Sequence, residues 1–188
     1  MHTKVKREVQ EMERAHLERE IAQIRRTSVW RSVEVGTYSV TELISQLERL
    51  GCVVTGRVRT FILPHVRIET KPRIVQLVDV RTQDLEAGAN LRPLRVYQAA
   101  RRWGLRLSTP EVGLHVMLRM CGEPEHKWDE WLRIAMNPIR TVDGEGKESE
   151  SVLFPNRNEH GIFYLGVIEA GPRVVWGDNR RIIFELPD

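Results

Sequence analysis

Residues 104–139, GLRLSTPEVGLHVMLRMCGEPEHKWDEWLRIAMNPI, decide how this chain folds. Two apolar blocks, residues 114–120 and 131–136, flank a polar insert, and almost no group in either block suits chemistry. Both blocks are dense and strongly patterned, and both read as strands. The stretch specifies packing and leaves activity open.

Towards the C-terminus, residues 151–154, 162–168, 173–176 and 180–186 continue as short strands. Turn signals at 143–144, 159–161, 171–172 and 177–179 separate them, which predicts an antiparallel meander. Residues 143–151, DGEGKESES, read as a polar loop tip and the best place for disorder. Towards the N-terminus, Pro93 suits the first position of a helix that runs to Trp103 and stops before Gly104. Residues 73–80 are a β-branched run expected as a buried strand. Residues 56–63 suit a short helix ended by Pro64, with a strand as the alternative. The clearest helix starts at Ser39, where Glu42 completes a capping box. Val40, Leu43, Ile44, Leu47 and Leu50 follow at helical spacing, and Gly51 supplies a left-handed stop. Residues 29–35 read as a short strand.

Residues 3–26 read as a long charged helix without Pro or Gly. Its apolar positions form two sets, Val5, Val9, Met12 and then Leu17, Ile21, Ile24, offset by roughly 120° around the axis. One continuous coiled-coil seam would not shift in this way. The second set is expected to pack on the protein's own body, and the first offers a stripe to a protein partner or to self-association. Together these elements predict an α+β fold, with helices of the N-terminal half packed on a mainly antiparallel sheet (a meander) from the C-terminal half. Residues 1–28 are expected as an appended charged helix and residues 29–188 as a single domain.

Of the 188 residues, 41% are hydrophobic and 29% charged, which argues against general disorder. No apolar run approaches a bilayer span, and the first residues lack the apolar core of a signal peptide. A cytoplasmic protein with no membrane partner is expected. The net charge of +3 is too small to argue for nucleic-acid binding by itself. Residues 90–120, however, hold Arg92, Arg95, Arg101, Arg102, Arg106 and Arg119 against Glu111 alone. Cys52 and Cys121 have no CxxC partner and are expected to be reduced, buried and structural.

Several pieces resemble a family of bacterial proteins, met mainly in environmental and candidate-phylum genomes, for which no activity is known. The matching pieces are Trp30-Arg-Ser with Gly36-Thr37, Leu50-Gly51-Cys52, residues 75–80, and Val96-Tyr97-Gln98-Ala99. The most specific are Gly104-Leu105-Arg106-Leu107 with Pro110-Glu111-Val112-Gly113, and Trp131 to Met136 with Pro138-Ile139. The resemblance runs from Trp30 to Phe184, weakens after Ile139, and implies one integral domain. It transfers no activity, and the helix before Trp30 lies outside it.

Candidate groups for chemistry are few. The six histidines form no zinc spacing. His126 with Asp129 and Glu130, joined at most by Glu159 and His160, reads as a solvated loop, so neither metal nor cofactor is expected. His115 is expected in an apolar strand as a hydrogen-bonded core histidine. No nucleophile elbow or phosphate loop is present. Glu111 reads either as a carboxylate held for a ligand or, preferably, as a first-turn acid after an N-cap at Thr109 or Ser108. Trp30, Trp103 and Trp131 are expected in the core, and Trp128 and Trp176 as partly exposed contact residues. The reading is a non-catalytic interaction or binding protein, with Glu111, Trp128 and Trp176 as candidate contacts. The first alternative is a nucleic-acid-binding protein that uses Arg95, Arg101, Arg102 and Arg106 in an imitation of a helix-turn-helix. The second is an enzyme with a dispersed site.

Overall fold

Ser39 places the first helix, α1 (Val40–Arg49), by a complete capping box. Its hydroxyl accepts the Glu42 N–H at 3.3 Å, and the Glu42 carboxylate accepts the Ser39 N–H at 2.7 Å. Leu43, Ile44 and Leu47 form the buried face, and Gly51 turns the chain at φ +78°. The structure is a computed structural model that describes residues 12, 29–85, 91–123, 132–142, 146–177 and 180–187. The predicted helix at 3–26 lies outside the described residues, except for Met12, which is helical and exposed.

Around α1 the chain lays down β1 (Arg31–Val35), β2 (Val53–Val54), a short helical segment over residues 58–65, and β3 (Arg73–Arg81). Two further helices follow, α2 (Pro93–Arg102) and α3 (Pro110–Gly122). The remaining strands are β4 (Leu132–Ile134), β5 (Ile139–Val142), β6 (Glu148–Arg157), β7 (Phe163–Glu169) and β8 (Arg181–Glu185). Helices and strands share one chain, as α+β requires. α3 lies wholly in the second half of the sequence and α2 runs into it, so helices are not confined to the first half.

The expected single meander is replaced by two four-stranded mixed sheets, in the orders β1-β3-β8-β4 and β2-β7-β6-β5. Only β5, β6 and β7 form a meander. β8 leaves it and pairs antiparallel with β3, from Leu77 opposite Glu185 to Arg81 opposite Arg181. The reason lies in β3, whose buried Val75, Leu77, Val78 and Val80 suit a strand with neighbours on both sides. β4 runs parallel to β8, and β2 parallel to β7. Residues 173–176, expected as a strand, form irregular chain tied to Leu91 by the Trp176 N–H at 2.9 Å. Residues 148–151, expected in a loop, begin β6, and residues 143–145 lie outside the described residues.

The largest correction is at residues 114–120, which form helix and not strand. Thr109 caps α3 by accepting the Val112 N–H, and Pro110 opens its first turn. Residues 111–117 are buried without interruption, because α3 packs between the two sheets. A helix whose first two turns are covered carries no polar stripe there and blurs the 3.6-residue signature in its sequence. Gly113 permits the approach: a Cβ there would stand 2.7 Å from Leu153 Cδ1 of β6 and 3.3 Å from Ile134 Cγ1 of β4. On the other side of the first sheet, Tyr97 of α2 meets Phe184 of β8 edge-on at 6.4 Å.

Cys52 and Cys121 are buried and free, as expected. The neighbouring Cys52 thiol, together with burial, pushes the Cys121 thiol up. Among the described residues, no helix is long and apolar enough to cross a membrane.

Candidate functional site

The predicted site residues do not converge. Arg95, Arg101 and Arg102 lie exposed along one arc of α2, while Val96, Tyr97, Ala99 and Ala100 turn inwards. Arg106 is exposed beyond the helix, where its backbone exchanges hydrogen bonds with Glu185 at 2.9 and 3.0 Å. α3, the helix that would have to enter a groove in the helix-turn-helix imitation, is longer than the single turn expected, and its residues 111–117 are buried. Trp176, expected at the surface, is 1% exposed and donates its indole N–H to the Glu169 carbonyl at 3.0 Å. Trp128 and Trp131 lie outside the described residues, as do His126, Asp129 and Glu130. Glu159 and His160 are exposed neighbours 3.6 Å apart, and no group of three metal-ligating side chains occurs among the described residues.

Glu111 is the predicted residue that the fold uses most. It is fully buried in the first turn of α3, after Thr109 as N-cap. Its Oε1 accepts the Gly36 N–H at 2.6 Å, just after β1, and its Oε2 accepts the Glu69 N–H at 2.8 Å, just before β3. Both oxygens are therefore engaged by backbone. One turn along, His115 Nε2 stands 3.7 Å from Glu111 Oε1, close enough for charge to act but beyond a hydrogen bond.

His115 forms part of the wall of a cleft of about 340 Å³ between β1 and α3. The α3 side repeats at helical spacing: His115, Leu118, Arg119, Gly122 and Glu123 share one face. Across from them stand Ser32, Val33 and Glu34 of β1, with Thr37 and Tyr38 from the loop that follows. The Tyr38 ring lies 6.3 Å from the imidazole, tilted by 34°. At the outer end, Arg119 holds Glu123 at 2.6 Å. Burial lowers the His115 pKa, against the opposing pull of Glu111, so the ring is neutral at physiological pH. A neutral ring offers one donor and one acceptor nitrogen. No serine, threonine or cysteine among the described residues hydrogen-bonds to His115.

Sequence reasoning missed this cleft because His115 and Leu118 were placed on a strand, where alternate residues face opposite ways. The signal available was Thr109-Pro110-Glu111, a cap, a first-turn proline and an acid, which marks a helix start. It also passed over Arg133, the charged residue inside the apolar run Leu132 to Met136. Comparison with protein-family models, with curated proteins and with solved structures finds no match for this chain.

Proposed function

We propose that this chain is a non-catalytic binding protein that recognises a small polar ligand in the cleft between β1 and α3. The observation that carries the reading is the buried His115 on the cleft wall, beside a carboxylate whose two oxygens each accept a backbone N–H. Its Nε2 is buried beside Glu111, so a ligand in the cleft meets the rest of the ring, and Tyr38 supplies an aromatic wall. The volume is at the small end of ligand sites, which favours a compact ligand with one flat face.

The test is a substitution that fills the cleft without touching the core. Gly122 ends α3 at the cleft, and a Cβ there would meet nothing within 4 Å. A panel of amino acids, nucleosides and aromatic carboxylates is screened for binding to the wild type, and any binder is then titrated against Gly122→Trp. The expected result is a binder whose affinity falls by about tenfold or more, with the melting temperature unchanged. No binder, or one indifferent to Gly122→Trp, rejects the reading.

The second reading, nucleic-acid binding, is favoured by the exposed arc of Arg95, Arg101 and Arg102 on α2. It requires affinity for DNA or RNA that falls steeply with salt and drops when these arginines become alanine. Association through residues 1–28 is proposed from the apolar stripe of Val5, Val9 and Met12.

A further inference from the structure

Arg133, the middle residue of β4, carries a guanidinium with no carboxylate partner among the described residues. Its side chain is 4% exposed, and Nε and Nη1 are buried with no hydrogen-bond partner. Nη2 is the one nitrogen of the three not both buried and unpartnered. The charged neighbour that acts on it is Arg180, which repels it; no carboxylate among the described residues pairs with it. Burial, with Arg180 second, brings its pKa down to about 10, so it is still a cation at neutral pH. A buried cation without an acceptor is costly to a fold. Other buried charges here are matched: Asp79 pairs with Arg181, and Glu185 lies 3.7 Å from Arg73.

The walls around Arg133 are rigid. Its guanidinium carbon stacks 5.4 Å from the Trp176 ring centroid. Trp176 is itself fixed by its backbone N–H to Leu91, its indole N–H to Glu169, and an edge contact with Tyr97 at 5.8 Å. The Tyr97 hydroxyl lies beside the Met136 backbone amide, without a hydrogen bond of normal geometry. Thr82 fixes the backbone of Arg180, accepting its N–H at 3.1 Å and donating to its carbonyl at 2.9 Å. Two cations, a hydroxyl and an aromatic face thus gather on the α2 side of the first sheet, and a guanidinium fork fits two oxygens of one anion.

We infer that Arg133 anchors a binding site for a small oxyanion, the carboxylate or phosphate group of a ligand, walled by Trp176 and Tyr97 and flanked by Arg180. This site shares no residue with the β1–α3 cleft and stands whether or not that cleft binds a ligand. The test uses the full chain, titrated calorimetrically and melted with sodium phosphate, pyrophosphate and citrate at constant ionic strength. Arg133→Met keeps the length of the side chain and removes its charge. At least one anion is expected to bind the wild type saturably and to raise its melting temperature by roughly 2–4 °C. Arg133→Met is expected to bind about tenfold or more weakly, yet to melt no lower than the wild type in anion-free buffer. Arg133→Lys, which keeps the charge without the fork, should recover part of the affinity. A response to phosphate and pyrophosphate alone assigns a phosphoryl ligand, and a response to citrate alone assigns a carboxylate. Failure of all three anions to bind, binding unchanged in Arg133→Met, or loss of the fold in that variant would each overturn the site.

Discussion

Glu111 joins three segments that are far apart in sequence, since Gly36 and Glu69 stand 75 and 42 positions from it. Replacing it with alanine leaves two backbone N–H groups without their acceptor, each worth about 1–3 kcal/mol when buried. Glu111→Ala should therefore lose about 2–5 kcal/mol in denaturant unfolding, and a loss under 1 kcal/mol would show that water replaces the carboxylate easily. His115 adds a dependence on pH. Its folded pKa lies below the ordinary value of 6.5, so the unfolded chain takes up the proton first. Stability from this group is complete above pH 6.5 and is lost as pH falls towards the folded value. Asp79 and Glu185 act with the opposite sign, because burial raises their pKa and the folded state binds those protons more readily. Denaturant unfolding from pH 7 to pH 5 should show a loss in the wild type that shrinks in His115→Gln; equal losses would mean that the ring is solvated. The sequence marked Glu111 as a first-turn acid behind Thr109. It could not show the two distant N–H groups, which reach Glu111 only through pairing of β1 with β3.

Among the elements, legibility followed burial. α1 is covered on one side, so its cap, its stripe and its stop all stood in the sequence. β3 was legible as a β-branched run. α3 was not, because residues 111–117 are buried in succession and only the last turns, from Leu118 on, show any exposure that would reveal its period. Gly113 is the residue on which that packing turns. An alanine in a helix interior gains about 1 kcal/mol over glycine, but overpacking a filled core costs about 1–3 kcal/mol. Leu153 and Ile134 are fully buried and have little room to move, so the clash should win. Gly113→Ala is expected to lower stability by about 1–2 kcal/mol, measured by chemical denaturation. A more stable variant would mean that α3 is not wedged between β4 and β6. Trp176 was misplaced for a related reason: its neighbours Gly177 and Pro172 signal a turn, whereas its anchors, Leu91, Glu169 and Tyr97, come from elsewhere in the chain.

At the scale of the whole molecule, one buried helix holds two mixed sheets together and presents its outer face to a cleft. The long crossover that carries β8 back to β3, and the parallel pairing of β4 and β2, depend on contacts between distant residues and left no local mark in the sequence. The coarse α+β reading survived because it needed only local patterns. The exposed arginines of α2 lie elsewhere on the fold, so the two readings of function predict different surfaces. The most direct test is an amide NMR titration of the isotope-labelled full chain with the strongest binder from the small-molecule panel. The cleft reading predicts saturable shifts confined to β1, residues 36–38 and the second half of α3, all lost in Gly122→Trp. Shifts centred on α2, or shifts that persist in Gly122→Trp, would contradict it.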